Sequence, residues 1–195
     1  ASLSRPAVRA FWWPRFVRIA HWFVAREREE RLAIARSHTE VTGEHTIAAP
    51  AGPFILSAHA DRIDRLTDGE LSIIDYKTGT VPSEKQIRAG YAPQLPLEAV
   101  IAAAGGFDGV AAATVRRLAH WRLSGGDPAG AVREVRDDVP TLAAEARDRL
   151  VKLVAAFDDP ETPYVSTPVP EWPLPYPEYD HLARLREWLG SGDET

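Results

Sequence analysis

Two strand-like runs, "FILSAHADRIDRL" and "LSIIDYK", are joined through the turn signal Thr67-Asp68-Gly69. An Asp-Gly turn between β-branched, apolar runs commits this stretch to an antiparallel hairpin. Side chains alternate along a strand, so Asp75 and Lys77 share a face with Leu71 and Ile73. On the first strand Asp61 shares a face with His59 and Ile63, and Asp64 points the other way. The register of the hairpin decides which aspartate lies beside Asp75. Pairs of positions summing to 136 set Asp61 directly across from it, and pairs summing to 137 bring Asp64 to that face instead.

Two carboxylates facing each other across a sheet repel by roughly 4 kcal/mol at about 4 Å and an effective dielectric near 20. A shared proton, a neighbouring cation or a divalent metal offsets such a cost. Lys77 is a cation within reach. The donors are hard oxygens with room for water and phosphate, which suits Mg²⁺ better than Zn²⁺, with Mn²⁺ an acceptable substitute. A metal there polarises a phosphoryl oxygen and makes bound water a nucleophile, while Lys77 orients that water or stabilises charge on phosphorus. Taken by spacing alone, the same residues also describe an exposed strand with a cross-strand ion pair.

The remaining chain reads as a helix from Pro14 ending near Arg36, and strands over 38–48 and 53–66. A short helix capped by Ser83 follows, then a helix begun by "PQLPLEAVIAAA", a strand "TVRRLAHWRLS", and a helix from Thr141 to Phe157. Tyr91, Gln94 and Glu98 have the spacing of one helix face. The charges of "REREERLAIAR" read as a solvated face. This order predicts helices around a mixed sheet, an α/β or α+β sandwich. Seven prolines fall in 160–177, which excludes a helix or central strand there and predicts an extended surface strap. A terminal helix is predicted over 178–190.

Composition narrows the function. The chain has 195 residues and no cysteine, which excludes disulfides, thiolate zinc sites and cysteine-ligated iron–sulfur clusters. No apolar run is long enough to span a bilayer, so a soluble, cytoplasmic protein without a membrane partner is expected. A net charge of -5 argues against a self-sufficient DNA-binding domain, because neutralising phosphates normally demands a basic surplus. It leaves room for a catalytic module to which another subunit delivers DNA. The lack of methionine and the opening Ala1 point to a fragment of something longer, read here as one domain over 1–195.

In order, "ADRIDRL", the Asp-Gly turn, "IIDYKTG" and "YAPQLPLEAV" resemble the nuclease domain of the RecB/AddB group within the PD-(D/E)xK superfamily. "HWRLSGG" and "YDHLARLREW" are similar to the C-terminal end of AddB proteins of the alphaproteobacterial type. The resemblance covers most of the chain and implies a restriction-endonuclease-like mixed β-sheet flanked by helices. By position it makes Asp61 and Asp75 metal ligands, Lys77 the catalytic lysine, and Gln94 the glutamine that contacts the active-site region. It further implies an exonuclease, an AddA-type helicase–nuclease subunit as partner, and a role in double-strand break repair.

Several positions depart from the pattern. Ala58 stands where the family often has glycine, and Glu98 where the glutamine helix usually carries a tyrosine. The family's metal-ligating histidine falls upstream of Ala1, which leaves open a non-catalytic module that guides DNA or docks the helicase subunit. Outside the motifs, Asp64 is expected to pair with Arg62 or Arg65, and Glu40 to be solvated. His59 is expected to be a spectator, Arg116, Arg117 and Arg122 to be solvated or in contact with a partner, and Trp12, Trp13 and Trp22 to be core or interface residues.

Overall fold

The computed structural model describes residues 6–164. The chain divides into two compact units, Ala1–Asp158 and Asp159–Thr195. Of the second, the described residues form a turn in which the Asp159 carbonyl accepts the Thr162 N–H at 3.0 Å. Residues 165–195, with most of the proline-rich segment and the expected terminal helix, lie outside the described residues.

The first unit runs α1 (Pro6–Glu30), β1 (Ile34–Ile47), β2 (Phe54–Leu66), β3 (Leu71–Lys77), α2 (Glu84–Arg88), α3 (Gln94–Ala103), β4 (Val115–Leu123), β5 (Gly130–Glu134) and α4 (Val139–Phe157). The five strands form one mixed sheet in chain order, antiparallel except for the parallel pair β3–β4. A parallel pair needs a crossover, and α2 and α3 supply it. Ser83 caps α2 through a reciprocal capping box with Gln86, and Asp138 caps α4 by accepting the Thr141 N–H at 3.1 Å.

The sheet is covered on both faces. On one, Ile63, Leu71, Ile73 and Leu118 pack with Leu95, Ala99 and Ile101 of α3 and with Val139 and Leu142 of α4. On the other, α1 lays Trp22 and Phe23 over Ile74, Ala119, Tyr76 and Trp121. The rings of Phe23, Tyr76 and Trp22 each meet Trp121 at centroid distances of 5.6, 5.8 and 5.7 Å. Gly130 lets β5 approach this cluster, because a Cβ there would collide with the Trp22 ring. Burial on both faces explains why Leu71 to Asp75 of β3 are all buried and read as a nearly continuous apolar run.

Several elements differ from expectation. Helix α1 begins at Pro6 with Pro14 inside it, and ends at Glu30 because a 3₁₀ turn over Arg31–Ala33 leads directly into β1. Its charges are not simply solvated. Glu30 makes a two-pronged pair with Arg117 at 2.8 and 2.9 Å, and Glu27 pairs with Arg62. β5 is an additional strand that the sequence pattern does not predict. Tyr91 precedes α3 rather than sharing its face with Gln94 and Glu98. Trp12 and Trp13 are more than half exposed, and only Trp22 joins the core.

Candidate active site

The hairpin adopts the register in which paired positions sum to 136, with Arg62 opposite Ile74 and Ile63 opposite Ile73. The turn enforces this. Leu66 donates its N–H to the Glu70 carbonyl at 2.8 Å across a three-residue loop, and Gly69 takes the left-handed conformation that such a loop requires (φ +91°). Continuing the register places Asp61 across from Asp75. The ladder itself stops one pair earlier, and the Asp61 carboxylate accepts the Tyr76 N–H at 2.8 Å. A side chain thus satisfies a main-chain donor where the strands part.

The parting coincides with a backbone irregularity. Ala60 and Ile63 are three positions apart yet join the same core, so strict alternation fails between them. Across from Asp61 in the β1–β2 register stands Glu40 with φ +52°, a conformation uncommon for a residue with a side chain. Such strain costs on the order of 1–3 kcal/mol and clusters at functional sites.

Asp75 is buried two residues before the end of β3. Its Oδ1 accepts Lys77 Nζ at 2.9 Å and Gln94 Nε2 at 2.8 Å. The Gln94 carbonyl oxygen accepts Lys77 Nζ at 3.1 Å, closing a three-membered ring of hydrogen bonds. Gln94 Nε2 also reaches Glu98 Oε1 at 3.1 Å, so the first turn of α3 ties two carboxylates to one amide. Glu98 is buried. Burial is the main reason its pKa is pushed up to about 7, the Gln94 hydrogen bond opposes that, and the charges of Asp75 and Asp61 add to it.

Asp75 Oδ2 is buried and has no hydrogen-bond partner. An orphaned carboxylate oxygen carries a desolvation cost that a cation would remove. With Asp61 opposite, the donor set suits Mg²⁺ or Mn²⁺, which are commonly bound by one or two carboxylates plus water and phosphate. Among the described residues no three His, Asp or Glu side chains are gathered so as to hold a metal by themselves. A cation here would therefore draw its remaining donors from water, substrate or residues beyond those described.

Sequence reasoning did not weigh His120. The parallel register of β3 and β4 sets it beside Asp75, and the antiparallel register of β4 and β5 sets Arg133 beside His120. His120 is buried. Its pKa is lowered, chiefly by burial, with the Asp75 charge opposing and Lys77 reinforcing that. The available signal was a lone histidine in "VRRLAHWRL" sharing a face with Leu118 and Arg122, but it acquires meaning only once β4 is known to lie next to β3.

The other candidates fall elsewhere. Asp64 is buried against Arg62 Nε at 2.9 Å on the α1 face and takes no part in the site. His59 Nε2 lies 3.5 Å from Glu40 Oε2, both exposed. Arg116 pairs with Asp68 at 2.8 Å, Arg117 belongs to the α1 face, and Arg122 is exposed.

A family model described as the PD-(D/E)XK nuclease superfamily matches residues 2–168. An uncharacterized protein of Rickettsia bellii is 29% identical over 97 residues, 50% of this chain and 12% of that protein. An uncharacterized protein of Rickettsia typhi is 28% identical over 100 residues, 51% of this chain and 12% of its own length. The chain thus spans a small part of the relatives it matches. Among solved structures, the crystal structure of SSO0001 aligns with 74% of this chain and 64% of its own, at 17% identity and a TM-score of 0.39.

Proposed function

This chain belongs to the PD-(D/E)XK nuclease superfamily, and on that premise we propose that it is a metal-dependent deoxyribonuclease domain hydrolysing phosphodiester bonds. Its mixed five-stranded sheet flanked by helices is consistent with the restriction-endonuclease-like fold of that superfamily. The observation that carries the reading is the junction of Asp75, Lys77 and Gln94 in one hydrogen-bonded set, with an unpartnered Asp75 oxygen and Asp61 in register opposite.

In this reading Asp61 and Asp75 would hold Mg²⁺, for which Mn²⁺ can substitute. Once bound, the metal supplies Lewis-acid polarisation and a more acidic water. The protein supplies the rest. Lys77, fixed by Asp75 and the Gln94 carbonyl, directs its ammonium to where negative charge grows on phosphorus. Gln94 holds the Asp75 carboxylate in one orientation.

The finer assignment is also part of the proposal. The order of the motifs supports an AddB-type exonuclease working with an AddA-type helicase–nuclease subunit, in the cytoplasm, at double-strand breaks. The competing reading, a nuclease fold kept for guiding DNA or docking the helicase subunit, is favoured by one observation. Asp75 Oδ1 is already doubly engaged, and no third protein ligand is gathered among the described residues.

Strand-specific cutting of end-labelled duplex by the complete helicase–nuclease, with Mg²⁺ and ATP, separates the two. Asp75→Ala should abolish cutting by this site and leave unwinding intact. Undiminished cutting of both strands would overturn the catalytic reading and favour the docking module.

A further inference from the structure

The registers of the sheet align one row of positions across three strands, Asp75 on β3, His120 on β4 and Arg133 on β5, and Asp61 of β2 lies one position beyond the last β2–β3 pair, Arg62 and Ile74. The row beneath it, Ile73 and Leu118 with Val135 following β5, is core. The row above it continues from Lys77 to Arg122. Directly opposed residues share a face, so Asp75, His120, Arg133, Lys77 and Arg122 lie on the face that α3 covers. The row is polarised, with two carboxylates at the β2–β3 end and an imidazole and a guanidinium at the β4–β5 end.

The basic end is open. A cleft of about 350 Å³ lies between α2 and the sheet, lined by Ser83, Glu84, Ile87, His120, Arg133 and Glu134, the last of these paired with Arg117. Arg133 and Arg122 are exposed, and among the described residues neither has an ion-pair partner. Arg62, Arg88, Arg116 and Arg117 are each tied to a carboxylate, whereas among the described residues Arg36 and Arg136 are unpaired like Arg133 and Arg122, so what singles out the latter two is their place in the rows of Asp75 and Lys77. Two unpaired guanidinium groups beside a paired-carboxylate site fit an extended anion with repeating charges.

We propose that His120, Arg133 and Arg122 form the phosphate-holding half of the site and grip a backbone phosphate of a DNA strand next to the one presented to Asp75. The inference rests on the nuclease reading and specifies how that site takes hold of its substrate. Adjacent strands are ~4.8 Å apart, so His120 and Arg122 stand about one strand spacing from β3 and Arg133 about two. A strand lying along this row crosses the sheet toward β5, leaving the β1 edge free. Arginine suits the role because its fork meets phosphate oxygens in pairs and keeps its charge at any working pH.

The test is binding without catalysis. The 195-residue chain, whose first unit has its own sheet and a two-sided core, is titrated against a fluorescein-labelled dT12 strand in EDTA over a range of salt concentrations. Arg133→Gln should weaken binding by about fivefold or more and reduce the slope of log affinity against log salt by about 0.7, the value for one lost single-strand phosphate contact. Arg133→Gln with Arg122→Gln should roughly double the loss of slope. Arg147→Gln, which removes the same charge from the exposed side of α4, should do neither. Equal behaviour of Arg133→Gln and Arg147→Gln, or no binding by the parent chain, overturns the inference. A parallel calorimetric titration with Mn²⁺ on parent and Asp75→Asn tests the acidic half. Mn²⁺ binding lost in Asp75→Asn, alongside an indifferent Arg133→Gln, would leave the nuclease reading standing and remove this one.

Discussion

Glu98→Gln should stabilise the protein at pH 8 and leave it nearly unchanged at pH 4.5. The carboxyl lies buried on α3, hydrogen-bonded to Gln94 and facing the charges of Asp75 and Asp61, with Lys77 partly offsetting them. Its pKa rises from 4.5 to about 7 in the folded protein, so folding favours the protonated form. The sign follows by linkage. The native state binds this proton more tightly, so its contribution to stability is complete below about pH 4.5 and is lost as pH climbs through 7. At about 1.4 kcal/mol per pH unit, the full displacement corresponds to roughly 3 kcal/mol. Glutamine keeps an oxygen for Gln94 Nε2 and never ionises, so it escapes the loss. Urea melts of both proteins from pH 4.5 to 8 in EDTA should show a difference growing from near zero to about 2–3 kcal/mol. In a domain of this size that is about 5–10 °C in Tm. Groups that titrate identically in both proteins cancel. A difference that is flat across pH, or a variant less stable at pH 8, would refute the argument.

On the opposite face, Arg62→Ala strands the buried Asp64 carboxylate and should cost about 3–5 kcal/mol in urea melts. Lys77→Ala should lower cutting by about 10²–10³-fold. Mn²⁺ binding by calorimetry should persist, because an ammonium is no ligand. Asp75→Ala in EDTA should melt close to the parent, since removing an unpartnered buried oxygen and a like-charge neighbour of Glu98 offsets the lost hydrogen bonds from Lys77 and Gln94.

The hairpin was the most legible part of the chain, and its turn held more information than alternation did. Alternation left Asp61 and Asp64 as rivals. A three-residue loop with glycine third fixes which of them meets Asp75, because the loop length sets the parity of every pair above it. The Ser83 cap was readable for a similar reason, as capping is a contact within four residues. What stayed hidden depends on distant segments. The charges at Glu27 and Glu30 look like a solvated helix face until Arg62 and Arg117 are seen beneath them. β5 has only five residues, too few for its period to stand out, and without it neither Arg133 nor the row through His120 can be inferred. The break in alternation at Asp61 leaves no mark in composition.

The α1 face has a bearing on how variants of this protein are interpreted. Each reacting group on β2, β3 and β4 has an immediate chain neighbour gripped from behind: Arg62 follows Asp61, Tyr76 separates Asp75 from Lys77, and Trp121 follows His120. Arg62 bonds the Tyr76 hydroxyl at 3.3 Å and stands 5.5 Å from the Trp121 ring, so these three neighbours form a single block under Phe23. A side chain trimmed anywhere in that block displaces backbone to which a reacting group is directly attached. In a screen that scores only cutting, such substitutions would be counted among the chemical defects although they lie on the far side of the sheet. A melting curve measured alongside each activity separates the two populations, because damage to the block lowers both and damage to the reacting row lowers one.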